Sequence, residues 1–449
     1  MYKLRIFAAL WLLTIAIPGL AQVSKKTIEK VDRMLGQSIV QFNVPGMAVS
    51  IVKDGEVILS RGYGVRDINT QVPVDENTSF AIASNTKAFT SAALAVLIDE
   101  GKLKWDDKVR KYLPYFSLYS PYVSEEMTVR DLLCHRSGLG TFSGDLIWYG
   151  TTHSREEIIR RAAMLEPKHG FRESFGYQNI MFIVAGEVVE AASGMTWDDF
   201  LRTKFFAPLG MKNSNTSTRD LPANGNVAMP HNERMQKNQK IEYVNWDNVG
   251  PAGSINSSVR DLSQWIKLQL GKGTLDSVKY WNEARTYEMW ENHTPIPVSG
   301  WQRKNIPTRH FSGYGLGWEL MEYQGYKVVS HGGGYDGMIS KTVLVPELNL
   351  GFVILTNNIN SLPSCLAYEL LDEFIGVPVA EQKDWLALFY DFRKADLDEE
   401  ANREKVLEEA KVKNTKPSAD LAAYAGTYRS DMYGDIEVSV RQEGGLDIR

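Results

Sequence analysis

The chain has 449 residues, of which 43% are hydrophobic and 23% charged, and it carries a formal net charge of −5 at pH 7. That balance is ordinary for a soluble globular protein with room for a large core, and the length suits two or three domains. No basic cluster is present to hold nucleic acid. Neither Cys134 nor Cys365 lies in a CxxC, and the seven histidines make no metal-ligand spacing, so no metal, cofactor or nucleic-acid partner is implied.

Residues 1–21 read as a secretory signal peptide. Lys3 and Arg5 open it, residues 6–17 are almost wholly apolar, and Pro18-Gly19-Leu20-Ala21 ends it with small residues at the cleavage positions. The apolar run is short for a membrane span of ~20 residues. Cleavage after Ala21 removes two positive charges and no negative one, taking the net charge from −5 to −7. The expected location is periplasmic or secreted, without stable membrane insertion. Export would permit a disulfide, but a single cysteine pair in a large domain is read as two buried thiols.

Residues 24–42 have helical spacing, with Ile28, Val31, Leu35, Ile39 and Phe42 on one side. A hairpin follows: residues 47–53 alternate, Asp54-Gly55 is a two-residue turn, and 57–63 return. Residues 80–83 then lead to Ser84-Asn85-Thr86-Lys87. Residues 88–98 are apolar nearly all round, which predicts a buried helix, and Gly101 stops it. Three positions apart on a helix, Ser84 and Lys87 share a face. A serine hydroxyl is a poor nucleophile without a base in hydrogen-bond reach, and a lysine kept neutral by burial is such a base. A nucleophile at a helix start also gains from the backbone N–H groups and positive dipole end there. The tetrad predicts a covalent serine hydrolase with no catalytic His–Asp pair.

From 105 to 270 the chain reads as helices and loops, with helices over 128–133, 155–164, 180–192, 197–206 and 259–270 and an Asn-rich extended stretch over 212–250. Tyr177-Gln178-Asn179 lies 93 residues after Ser84. Tyr177 beside Lys87 would share its proton duty, because a nearby cation favours phenolate, and Asn179 offers an amide to a substrate amide. A second copy, Tyr243-Val244-Asn245, competes with it. Tyr177 is preferred because it follows Phe175-Gly176 and opens the apolar run 180–185.

From 313 the period changes from helix to strand. Residues 313–321, 326–330, 340–345 and 350–356 predict four antiparallel strands, closed by a helix over 362–374. Strands, helices, strands and a helix, in that order, predict an α+β fold with one sheet built from both chain ends and a helical region inserted between. His331-Gly332-Gly333-Gly334 follows the second of these strands. Its glycines let substrate approach the backbone, where an N–H could face an oxyanion. Residues 377–415 predict a charged, solvated helical linker after a hydrolase domain over 22–376. Residues 416–449 have strand patterns that break off in mid-strand, and they read as the start of a small, incomplete β module.

Taken together, Ser84-x-x-Lys87, Tyr177-x-Asn179 and a late His331-Gly332-Gly333 resemble the serine β-lactamase and penicillin-binding-protein superfamily. The nearest branch holds class C β-lactamases, D-Ala-D-Ala carboxypeptidases, D-aminopeptidases and related esterases. Leu132-Leu133-Cys134-His135-Arg136-Ser137-Gly138-Leu139, Pro208-Leu209-Gly210-Met211 and Ala252-Gly253-Ser254-Ile255 are similar to that branch too. The resemblance implies that Ser84 is acylated, that Lys87 and Tyr177 move its proton, and that Asn179, His331, Gly333 and Gly334 bind substrate. The backbone N–H groups of Ser84 and Gly334 would form the oxyanion hole, and the partner would be a small molecule or short peptide. His135 and Ser137 are expected to pack and hydrogen-bond rather than react, and Tyr335 and Asp336 to border the substrate. Many members carry Lys-Thr-Gly where this chain has His-Gly-Gly. A histidine there is mostly neutral near pH 7 and grips a carboxylate poorly. That favours a peptidase or esterase over a true β-lactamase. A penicillin-binding or sensor protein that does not turn over is the competing class.

Overall fold

The computed structural model of the protein describes residues 23–222, 225–234 and 236–449. The signal peptide expected over 1–21 lies outside the described residues. Asp54 and Gly55 both take positive φ, 54° and 82°, the conformation of a two-residue hairpin turn whose twist matches its strands. They join β1 (Gly46–Lys53) to β2 (Glu56–Gly64). Six strands from the far end of the chain complete the sheet: β3 (Thr294–Ile296), β4 (Ser312–Tyr314), β5 (Glu319–Tyr323), β6 (Tyr326–Tyr335), β7 (Met338–Val345) and β8 (Leu350–Thr356). The order is β2-β1-β8-β7-β6-β5-β4-β3. β1 pairs antiparallel with β8, Met47 opposite Thr356 and Lys53 opposite Leu350. Early and late segments of the chain thus meet as neighbours inside one antiparallel sheet of an α+β fold.

Each face of the sheet has its own core. On one side α1 (Lys25–Gln41), capped by the Ser24 hydroxyl accepting from Thr27 N–H, and α5 (Leu362–Ile375) pack against Val49, Ile51, Val343 and Phe352. On the other side lie α2 (Thr86–Asp99), α3 (Asn179–Ser193), α4 (Val259–Leu270) and the rest of the helical region. Cys134 and Cys365 are free buried thiols, one in each core. Among the described residues no single helix is long and apolar enough to cross a membrane.

Several elements differ from the sequence pattern for local reasons. The strand expected over 313–321 is two strands, because Gly315 N–H bonds to Trp318 O and Gly317 takes φ 76°. Conversely, β6 does not stop at Ser330. It runs through the glycines, pairing Gly332 with Lys341, Gly333 with Ser340 and Gly334 with Ile339. β5 begins at Glu319, opposite Ser330, so beyond Ser330 β6 has a strand neighbour on the β7 side alone. The stretch 212–250 holds a short hairpin, His231–Arg234 with Lys237–Lys240.

The charged segment forms one helix, α6 (Trp385–Ala410), whose first residue is buried. Trp385 is 2% exposed, stacks on Tyr368 at 4.5 Å and donates its indole N–H to Asp372 Oδ2 at 2.7 Å. Beyond it β9 (Gly426–Ser430), β10 (Gly434–Val440) and β11 (Leu446–Ile448) form a separate three-stranded sheet. Replacing Trp385 with Ala is expected to destabilise the protein by about 3–5 kcal/mol, in the range for emptying a buried tryptophan site. Val406→Ala, at an exposed position of the same helix, should stay within about 0.5 kcal/mol. Urea unfolding midpoints of the two variants make the comparison.

Candidate active site

Ser84 sits in a single 3₁₀ turn, Ala83–Asn85, that runs directly into α2. The residue before it, Ala83, takes φ 46°, a left-handed conformation that costs a residue with a Cβ about 1–3 kcal/mol. Neighbours on three elements hold it there. Ile82 N–H donates to Ile255 O at 2.9 Å. The Ser340 hydroxyl on β7 donates to Ile82 O and accepts from Asn85 Nδ2, both at 2.7 Å. Ile255 N–H donates to Thr86 Oγ1 at 3.2 Å. Gly333 presses on the same turn: a Cβ there would collide with Ile82 O and stand 3.1 Å from Ser84 N. The glycine-rich stretch of β6 therefore has a steric reason at Gly333.

Lys87, one helical turn on, has no exposed surface. Its Nζ lies 3.0 Å from Ser84 Oγ, 2.8 Å from Asn179 Oδ1 and 2.8 Å from Ala252 O. The last two atoms can only accept. Asn179 is oriented by its other end, since its Nδ2 donates to Asp145 Oδ2 at 2.9 Å. Asp145 is itself held by Trp148, whose indole N–H reaches Asp145 Oδ1 at 3.0 Å. Burial lowers the Lys87 amine to about 7, with the Asp145 charge opposing. A neutral amine has two N–H groups and one lone pair. With the protons directed at Asn179 and Ala252, the lone pair faces the Ser84 hydroxyl.

The structure brings Tyr177 and His331 to this group. The Lys87 amine lies 4.8 Å from the Tyr177 ring centroid, and the Tyr177 and His331 ring centroids are 6.3 Å apart. The phenolate expected of Tyr177 is not favoured, however. Burial raises its phenol well above the ordinary range, and the hydrogen bond with the Ser84 side chain only partly opposes it. A phenolate needs a cation beside it, and the same burial brings the Lys87 amine down to about 7, so that its charge is weakened near neutral pH. His331 Nδ1 lies 2.6 Å from Gly332 O and Nε2 lies 2.7 Å from Tyr314 Oη. A carbonyl only accepts, so Nδ1 carries the proton and Nε2 accepts from the Tyr314 hydroxyl. Burial, reinforced by Lys87, brings the imidazole to about 4, with Glu319 opposing. His331 is therefore neutral at pH 7.

Gly334, exposed, lines the same cavity as Ser84, Tyr177, Asn179 and His331, with a volume of about 690 Å³. His135 is buried against Tyr177 at 4.1 Å and Tyr314 at 4.4 Å, and its Nδ1 accepts from Gln178 N–H at 3.0 Å. The other triplet does not line this cavity; its Tyr243 hydroxyl donates to Ala228 O at 2.8 Å. Tyr335 hydrogen-bonds to the Val244 backbone and Asp336 to the Tyr149 hydroxyl at 2.8 Å. Two groups of the site carry no signal of their own in the sequence. Asp145 opens the short helix Asp145–Trp148 in a stretch with no motif, and Tyr314 precedes a turn hidden in a strand-like run; Ala252, inside a family-like tetrapeptide, acts through its carbonyl.

A family model described as Beta-lactamase matches residues 31–364. Unguisins hydrolase ungD' of Aspergillus campestris (strain IBT 28561) is 28% identical over 427 residues, covering 91% of this chain and 77% of its own. Protein flp of Staphylococcus aureus (strain N315) is 26% identical over 331 residues, covering 73% of this chain and 63% of its own. Among solved structures, the octameric penicillin-binding protein homologue from Pyrococcus abyssi gives a TM-score of 0.70 at 23% identity, covering 92% of this chain and 86% of that one. D-amino acid amidase from Ochrobactrum anthropi SV3 gives 0.64 at 21% identity, covering 78% and 98%. At those identities the two structures speak for the fold alone.

The electrostatics of Lys87 generate a pH prediction. Inactivation of Ser84 by a fluorophosphonate should speed up as pH rises through about 7 and then level off, since the free amine is the reactive form. Asp145→Asn removes the charge that holds the amine up, so the rising limb should move to lower pH. A limb that stays in place or moves upward would contradict this account of the site.

Proposed function

The chain belongs to the beta-lactamase family, and from that premise we propose a serine hydrolase that cleaves amide or ester bonds through an acyl-enzyme on Ser84. The observation that carries the reading is the placement of Lys87 Nζ, 3.0 Å from Ser84 Oγ with its two other neighbours both acceptors. Lys87 takes the Ser84 proton as Oγ attacks the carbonyl carbon. The backbone N–H groups of Ser84 and Gly334 hold the oxyanion. The C–N or C–O bond then breaks, and the leaving group takes a proton from Lys87 through the neutral Tyr177 phenol. Water, deprotonated by the same amine, releases the acyl group.

Within this class we favour a peptidase of the carboxypeptidase or aminopeptidase kind, acting on short peptides with a D-residue, over a true β-lactamase. A neutral His331 on the cleft wall cannot pair with the carboxylate that a cationic residue there would grip. The 28% identical relative is a hydrolase in its own name. We also propose that residues 1–21 direct export, so that the enzyme works outside the cytoplasm.

Intact-mass measurement after fluorophosphonate treatment should give one adduct, on Ser84. Ser84→Ala should abolish it and reduce turnover on the order of 10⁶-fold, as loss of the nucleophile does in other covalent hydrolases. Lys87→Ala should come close to that loss. The substrate panel is D- and L-amino-acid amides, short esters and a chromogenic cephalosporin. Full activity in Ser84→Ala would defeat the mechanism, and rapid cephalosporin turnover would restore the β-lactamase reading.

A further inference from the structure

The hairpin of β9 and β10 has a tip, residues 431–433, that reaches back to the helical region. Arg161, the last residue of the helix Arg155–Arg161, donates through Nη1 to Asp431 O at 2.9 Å and to Met432 O at 3.0 Å. Its Nε and Nη2 both donate to Glu157 Oε1, at 3.2 and 2.8 Å, and His153 Nδ1 lies 3.1 Å from the same oxygen. Only 19% of the Arg161 side chain is exposed. A planar guanidinium held on one side by a carboxylate and donating on the other to two successive carbonyls fixes both the place and the direction of the tip. β9 and β10 are exposed for most of their length. Met432, between them, is half-buried against the core that holds α2.

What the tip grips leads to Lys87. The helix Arg155–Arg161 passes through a 3₁₀ turn, Ala162–Met164, to Leu165, which is buried. Leu165 is wedged against Gly144: a Cβ at Gly144 would stand 2.6 Å from Leu165 Cδ1 and from Ile180 Cδ1. Gly144 takes φ 83° and Phe142 φ 60°, so the turn that delivers Asp145 contains two left-handed residues, one of them with a side chain. Such a conformation persists only where the surroundings over-determine it. Phe142 N–H donates to Tyr177 O at 2.8 Å, and Asp145 N–H to Phe142 O at 3.1 Å. Met432 and Tyr433 face this turn and Leu165 across a groove of about 460 Å³. Asp145 in turn orients Asn179, which accepts from Lys87. Arg161, Leu165, Gly144, Asp145 and Asn179 therefore form a continuous line from the hairpin tip to the amine.

We propose that the β9–β10 tip is a positioning element of the active site, anchored by Arg161 and Met432, which holds the Phe142–Asp145 turn so that Asn179 presents an acceptor to Lys87. The inference rests on the hydrolase reading. It adds that the C-terminal sheet acts on the site through Asp145, without touching substrate.

The test keeps the full chain and follows fluorophosphonate inactivation of Ser84 against pH. Asp145, Tyr177, His135 and His331 are the titratable groups about Lys87, and Asp145 is the one that the line from the tip reaches. Arg161→Ala and Met432→Ala should each move the rising limb to lower pH, as Asp145→Asn does, by about 0.4 pH unit or more. Arg161→Lys, which still offers donors to the two carbonyls, should recover part of the shift. In the Asp145→Asn background, Arg161→Ala should add nothing, because the group it works through is already changed. Arg429→Ala, which breaks an exposed ion pair with Asp435 in the same hairpin, should leave the limb in place. A merely structural role would lower the reactive fraction at every pH without moving the limb, and that result overturns the proposal. So do shifts that add in full to that of Asp145→Asn. A second arm needs no reactive serine: amide hydrogen exchange in the Ser84→Ala protein. Adding Arg161→Ala should speed exchange over residues 142–149 about tenfold or more and leave α5 unchanged. That acceleration, alongside a wild-type Ser84 that takes no adduct, supports the seat of the tip and sinks the hydrolase reading alone. Unchanged exchange over 142–149 overturns the proposal.

Discussion

One fully buried amine is the constraint on which this structure turns. Lys87 is enclosed by α2, by the start of α3 and by the Ala252 carbonyl, and its charge is disfavoured for that reason alone. Everything that makes Ser84 a candidate nucleophile comes from the same enclosure. α2 is buried on nearly every side, so it cannot shift to let solvent in. Asn179 is turned by Asp145 so that it presents an acceptor rather than a donor. The left-handed Ala83 places the hydroxyl at the lysine, and the hydrogen bonds from Ile82, Asn85 and Ser340 keep it there. Solvent access to Nζ would raise the amine again and weaken it as a base near neutral pH.

Much of this was legible in the chain, because local chemistry decides it. Asp54-Gly55 demands a hairpin whatever surrounds it, and the apolar circumference of 88–98 demands burial. The Ser84–Lys87 spacing puts two groups on one helix face before any tertiary contact is known. The Tyr177 and His331 motifs, far apart in the chain, come together beside Lys87 in the fold. What the sequence hides is set by contacts between distant segments. Glycines usually signal a turn, yet Gly332–Gly334 stay in strand because β7 pairs with them and the Ser84 turn leaves no room for a side chain at Gly333. Asp145 looks like any loop carboxylate until Asn179 and Trp148 are set against it. Tyr177 favours the neutral phenol because the burial that raises it also lowers the amine that would have favoured a phenolate. The charge density after residue 396 obscured the aromatic start of α6, where Trp385 decides the docking.

His331 shows how burial and two hydrogen bonds settle the part a titratable ring plays. Its two nitrogens are both engaged, one on its own strand and one on Tyr314, so the ring is a structural post in the cleft wall.

The pairing of β1 with β8 carries a kinetic consequence. Met47 meets a residue near position 356, so the first hairpin has no inner neighbour until almost the whole domain has left the ribosome. Bringing such distant segments together is slow, because a long loop must be closed before any contact rewards it. The nascent chain therefore presents an apolar β1, paired on its β2 side alone, for most of its synthesis. A protease cut anywhere between the hairpin and β8 would turn an intramolecular encounter into a bimolecular one.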